Sequence, residues 1–319
     1  MRQVLGAGTP MAISGVVTSG RILAADHRLW FELAGAGSSA QNSVVREIAP
    51  AVYFWRGNHI LRKPANCTWI AFRHYVLVID ANFPWAAREI LPEIRKTTSK
   101  PIRFLFNTHY HSDHTFGNSV FVDAGAAVVS SELCNRELRT KGKMAWENWR
   151  ETGRHSLQGA RLEYPSILFS AKMVFDDGEQ RVELVHQGGH TLGDSVAYLP
   201  RQKILVSGDL CVNWTWGNWT DVDSNFTRWI GSLGTLAQWD VRTVLPGHGS
   251  PGAREILEGQ QKYISDILQH VRAGVRRGDG VDQLVREIDL SKDGSWGANA
   301  VGNARFIRAV YRKIAASTR

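Results

Sequence analysis

The sequence predicts an α/β protein built as an αββα sandwich: two β-sheets face to face, helices outside, and a helical C-terminal tail. Three observations carry this. Short apolar runs rich in β-branched and aromatic residues recur from Ala51 onward. They fall into an earlier and a later group, and stretches of helical period stand between and after them. A chain of 319 residues, 43% hydrophobic and 21% charged, is long enough to bury a core of that size.

The first 45 residues are rich in Gly, Ala and Ser. Within them "HRLWFELAGAGSSAQNSVV" joins a short apolar patch to small residues. It reads either as an overextended export signal cut near Ala40 or as an N-terminal extension over 1–45, ahead of a domain over 46–319. The export reading favours a periplasmic or secreted protein over a cytoplasmic one. "AVYFW", "TWIAF" and "YVLVIDA" then predict strands separated by turn residues. "PWAAREILPEIRKT" predicts a helix opened by Pro84, with a kink or break at Pro92. Strands follow at "IRFLFNTH" and "GAAVVSS", and a helical region runs from Ser131 to Gln158. The second group is "MVFDD", "RVELVHQGGH", "SVAYLP" and "KILVSGD"; the helix "FTRWIGSLGTLAQW" leads into the strand "VRTVLPGHG". The tail over 252–319 carries helical patterns at 254–277 and 303–317, placed to cover the sandwich or to pair with a second copy as a homo-oligomer.

Lys plus Arg number 38 against 30 for Asp plus Glu, a net charge of +8 spread along the chain. Its one basic stripe, Arg305, Arg308 and Arg312, reads as a solvated helix face rather than a nucleic-acid groove. Three cysteines, without a CxxC pair, cannot make a disulfide framework. No apolar run is long enough to cross a bilayer, so neither a membrane nor a nucleic acid is the expected partner; a small molecule is.

Four loops share one pattern, in which an apolar strand ends and a polar, mostly Gly-bearing loop begins: "FNTHYHSDH", "VHQGGHTLGDS", "LVSGDLC" and "VLPGHGSP". Together they offer His109, His111, Asp113, His114, His190, Asp209 and His248. Imidazole and carboxylate are what a divalent transition metal binds, and seven such groups exceed one tetrahedral ion but suit two ions sharing a ligand. His109 and His111 alternate by two, so an extended backbone turns both to one side. Asp113 and His114 reach on towards a second ion, and a carboxylate such as Asp209 can bridge the pair. Each residue also has a plain reading: Asp113 as a cap, His190, Asp209 and "PGHG" as turn residues. The joint occurrence at four strand ends is what favours chemistry.

In that order, "THYHSDH", "GGHTLGD", "SGD" and "PGHG" resemble the motif set of the metallo-β-lactamase superfamily, over roughly Ile48 to Pro251. The opening "EIAPAVYFWRG" and the tail are similar to a branch labelled quinoprotein-relay-type metallohydrolases. The resemblance implies that His109, His111 and His190 bind one metal and that Asp113, His114 and His248 bind another. Asp209 bridges them, and Asp80 orients a ligand histidine from behind. It implies two zinc ions, with iron or manganese as alternatives. A hydroxide held between them opens an amide, ester, lactone or thioester bond, and Asp113 orients it and passes on its proton. Asp209 draws the resemblance towards glyoxalase II and acyl-homoserine lactonases, with β-lactam hydrolysis also expected. Trp214, Trp216 and Trp219 follow Asp209 and, with Trp146 and Trp149, are candidates for an apolar substrate wall. Cys211 reads as a buried thiol or, alternatively, a metal contact. The rivals are a lactonase or thioesterase without β-lactamase activity, a mononuclear iron persulfide dioxygenase, a tRNA-processing nuclease and an inactive binding scaffold. Asp209 and His248 stand 39 positions apart (248 − 209 = 39), which leaves no room for the nuclease's extra domain.

Overall fold

The computed structural model describes residues 45–58, 61–153, 157, 159–213, 224–290 and 300–317. The first sheet holds seven strands in chain order: β1 Val45–Ala49, β2 Val52–Trp55, β3 Cys67–Ala71, β4 Val76–Ile79, β5 Ile102–Phe106, β6 Ala127–Ser131 and β7 Ile167–Phe169. β1 to β4 form an antiparallel meander, and β4 to β7 run parallel. Parallel neighbours need crossovers. These are α1 (Pro84–Thr97), the short helices α2 (Ser112–Thr115) and α3 (Asn118–Asp123), and α4 (Glu132–Glu137), which passes through a π-helical turn over Leu138–Gly142 into α5 (Lys143–Thr152). The second sheet has five strands: β8 Lys172–Asp176, β9 Arg181–His186, β10 Ser195–Leu199, β11 Ile204–Gly208 and β12 Thr243–Pro246, ordered β12-β11-β10-β9-β8.

β4 shows why the two sheets pack as they do. Its "VLVI" is buried at all four positions, so both of its faces are covered. Leu77 and Ile79 face the second sheet and share a core with Phe106, Val129, Leu184, Ala197, Val206 and Leu245. Val76 and Val78 face outward and pack with Ala86, Ala87, Ile90 and Ile94 of α1 and Phe121 of α3. Alternation by two has built an αββα sandwich from one continuous apolar run. Over the other sheet, α6 (Phe226–Ala237) packs on α7 (Glu255–Arg277), which in turn contacts α8 (Val281–Glu287) and α9 (Ala300–Ser317). None of the described helices is long and apolar enough to cross a membrane.

Pro92 does not break its helix: α1 continues to Thr97. Pro92 lies on the exposed side, and Ile90 and Ile94 on the opposite side stay buried. β1, β7 and α8 carry no clear pattern in the sequence. β7 is three residues long, and Leu168 at its centre is exposed.

Candidate metal centre

β9, β11 and β12 point the same way in their sheet, as β4 and β5 do in theirs, so the loops at their C-terminal ends meet at one edge of the sandwich. Asp80 follows β4, His109 and His111 follow β5, His190 follows β9, Asp209 follows β11 and His248 follows β12. Asp113 and His114 lie in the single turn of α2. The edge therefore collects all seven candidate ligands. His109, His111, His190 and Asp209 offer donor atoms within 4.8 Å of one another; Asp113, His114 and His248 form a second such group. Asp209 touches both, with Oδ2 3.9 Å from His109 Nε2 and 3.3 Å from His248 Nε2, and Oδ1 3.4 Å from His114 Nε2. Asp113 Oδ2 is 3.4 Å from His248 Nε2 and 3.9 Å from His114 Nε2.

Outer partners fix how three of the rings present themselves. His248 Nδ1 lies 2.9 Å from the Pro64 carbonyl, which can only accept, so Nδ1 carries the hydrogen and Nε2 faces the cluster. His114 Nδ1 meets the Asp80 carboxylate at 2.8 Å with the same result. Thr108 Oγ1 donates to Asp80 Oδ2 at 2.8 Å, which turns its lone pairs to His109 Nδ1 at 3.1 Å. A hydrogen on Nδ1 leaves Nε2 as the donor towards a metal, the usual consequence of such outer hydrogen bonds. His109 Nε2 and Asp113 Oδ2 are buried and without a hydrogen-bond partner among the described residues. Buried polar atoms seldom stay unmatched, so the set of nitrogen and oxygen donors fits divalent metal ions.

Burial and the neighbouring His114 hold His109 well below the ordinary histidine range, and so neutral. For His114 burial acts the same way, but Asp209, Asp80 and Asp113 outweigh it and raise the ring well above that range. Burial works against an ionised Asp209, yet His248 and His114 hold its carboxyl well below the ordinary carboxylate range. A divalent ion held by His114 would have to displace a proton from that ring.

Backbone geometry supports this crowding. Asp80 adopts φ 60°, a left-handed conformation that costs a non-glycine residue on the order of 1–3 kcal/mol. There its Oδ1 accepts from the Thr108 amide at 2.8 Å while Oδ2 faces His114. Gly208, at φ 52°, lies where a Cβ would come 2.5 Å from Thr108 Oγ1, so only glycine lets the two sheets approach beneath Asp209.

Asp80, expected from the resemblance to orient a ligand histidine, contacts both His114 and Thr108. Asp113 does not cap α2, whose N-terminus has no side-chain cap. Trp214, Trp216 and Trp219 lie outside the described residues. Trp146 and Trp149 are buried against Phe83 and Phe116, as packing rather than as an open wall. Cys211 Sγ lies 3.6 Å from the Ile256 carbonyl and belongs to neither donor group; burial and Asp209 push its thiol far up. Four supporting residues escape a reading of the sequence. Asn66 anchors the His248 loop, donating from Nδ2 to Pro246 and Gly249 carbonyls at 2.7 and 3.0 Å. Asp194 accepts from the amide and hydroxyl of Thr191, beside His190. Thr108 links Asp80 to His109, and Glu137 holds the far side of the His190 loop. Asp194 and Thr108 stand inside the quoted motifs; Asn66 and Glu137 have no local signal.

Two groups of His and Asp donors at one sheet edge point to a class of metal-dependent hydrolases, and the family model of the metallo-β-lactamase superfamily matches residues 61–248. The chain belongs to that superfamily. It is 22% identical over 270 residues to a linear primary-alkylsulfatase of Pseudomonas sp., covering 73% of this chain and 50% of that protein. It is 29% identical over 176 residues to an acyl-coenzyme A thioesterase of Gallus gallus (50% of this chain, 61% of the other). To a type 2 metallo-β-lactamase of Elizabethkingia meningoseptica it is 23% identical over 219 residues (66% and 78%). Among solved structures, a metallo-β-lactamase from Pontibacter korlensis superposes with a TM-score of 0.58 at 23% identity, over 70% of this chain and 99% of the other. A stereoselective inverting sec-alkylsulfatase from Pseudomonas sp. superposes at 0.68 and 16% identity, over 89% of this chain and 54% of that one. The chain thus spans about half the length of the alkylsulfatases it matches.

Proposed function

We propose that residues 46–319 form one hydrolase domain that uses two zinc ions to cleave an ester, thioester, lactone or amide bond of a small molecule, a β-lactam among them. The observation that carries this reading is the pair of donor groups meeting at Asp209, whose two oxygens face histidines of both. His109, His111 and His190 would hold one ion and Asp113, His114 and His248 the other, with Asp209 between; when bound, such ions acidify water and polarise the substrate oxygen. Asp80 holds His114, and Pro64 holds His248, with the ring hydrogens outward. Asp113 Oδ2, buried beside His248, takes up a proton from water and returns it to the leaving group. No serine or cysteine nucleophile is needed, and Cys211, turned towards Ile256, takes no part.

A second reading is sulfate-ester hydrolysis. It is favoured by the extent of the likeness to the sec-alkylsulfatase, 89% of this chain against 70% for the Pontibacter enzyme. The test of both is a panel on the zinc-loaded protein: nitrocefin, an acyl-homoserine lactone, an acyl thioester, a primary alkyl sulfate and a phosphodiester. Turnover of an acyl substrate supports the first reading, and turnover of the alkyl sulfate alone supports the second. One bound iron with oxygen uptake, or no turnover at all, sinks both.

A further inference from the structure

A buried carboxylate remains unused by the chemistry above. Glu137, the last residue of α4, is 3% exposed. An acidic side chain at that depth needs strong partners. One is Lys141 Nζ, 3.0 Å from Oε1 and brought round by the π-helical turn. The others are two successive backbone amides of the loop carrying His190: Gly193 N donates to Oε2 at 2.9 Å and Leu192 N to Oε1 at 3.4 Å. The Gly193 carbonyl accepts from Ser131 Oγ at 2.8 Å, at the other end of the same helix. Gly193 sits so close that a Cβ there would come 2.3 Å from the Cys134 amide. The peptide three residues beyond His190 is thus gripped from both ends by α4.

Lys141 also ties this grip to the first histidine motif, because its Nζ lies 5.1 Å from the ring centroid of Tyr110, between His109 and His111. We infer that Glu137 is a positioning residue: together with Lys141 it sets the His190 loop against the His109–His111 strand end and so shapes the three-histidine group. A π-helical turn beside a functional site is a recurrent arrangement, and here it brings Lys141 back over both partners. The inference rests on the metal reading above. It concerns residues that belong to neither donor group.

The test uses the full chain and two readouts. In the metal-free protein, Glu137→Gln should speed hydrogen exchange at the Leu192 and Gly193 amides at least about tenfold, with Val196 and Ala197 of β10 within about twofold. By chelator competition, one of the two zinc ions should bind about tenfold more weakly and the other almost unchanged. A uniform rise in exchange across β10, or unchanged zinc binding, would mean that Glu137 only stabilises the fold and would overturn the inference. Should Glu137→Gln not fold, Lys141→Met keeps the carboxylate on its amides and removes the ion pair. Faster exchange at the same two amides supports the inference, and no change overturns it. If the unmodified protein takes up no divalent metal, the metal reading itself fails; uptake that the variants leave untouched sinks only the role of Glu137.

Discussion

Asp80 is the most informative single residue to change. Asn tolerates the left-handed backbone at this position, so Asp80→Asn keeps φ near 60° while replacing one carboxylate oxygen with an NH2 group. That group faces the Thr108 hydroxyl and the His114 ring hydrogen, donor against donor. The expected result is metal binding roughly 10–100-fold weaker, read by chelator competition; unchanged affinity would remove Asp80 from the site's support. His111→Ala and Asp113→Asn should each lower turnover by more than the roughly 100-fold that losing an outer partner can cost, with little change in far-UV circular dichroism. Full activity in either variant would refute the ligand assignment. The candidate ligands that meet at the sheet edge are legible in the sequence because a metal needs a narrow set of residue types at strand ends. Asn66 and Glu137 are not, because a backbone carbonyl or amide some 180 residues away (246 − 66 = 180), or 56 away (193 − 137 = 56), leaves no mark on local sequence.

Among the elements, α6 and α7 do more than cover a sheet. Gln260 of α7 is fully buried; its Oε1 accepts from Val212 N at 2.8 Å and its Nε2 donates to the Leu210 carbonyl at 3.0 Å, directly after Asp209. Trp229 of α6 donates its indole N–H to the same carbonyl at 2.8 Å and lays its ring 5.2 Å from that of His190. Gln260→Ala removes two buried hydrogen bonds to the Asp209 loop, at a cost of about 1–3 kcal/mol in urea unfolding. Because the loop it frees carries Asp209, metal affinity should fall as well; a stability loss with metal affinity intact would confine Gln260 to packing. Helical period made both helices readable, whereas their contact with the Asp209 loop follows from packing that no period encodes. Pro92 marks the opposite limit: a local rule predicts a kink or break, and the helix runs on to Thr97 with Ile90 and Ile94 buried and Pro92 exposed.

At the scale of the molecule, the proposed metal binding and stability form one equilibrium. Each ion bound only by the folded chain adds about 2.7 kcal/mol when present at 100 times Kd, worth about 4 °C in Tm for a chain of 319 residues. Chelation should lower the melting temperature by that order and zinc should restore it, followed by calorimetry; a melt indifferent to chelator would revive the inactive scaffold. The seven candidate ligands divide across the core between the sheets: His109, His111, Asp113 and His114 leave the first, and His190, Asp209 and His248 leave the second. Neither sheet alone completes either donor group, and the outermost ligands are 139 positions apart (248 − 109 = 139). Contacts between such distant segments form late, after each sheet has gained its local pairings. During refolding, zinc uptake should therefore lag the recovery of secondary structure and report the moment at which the two sheets dock.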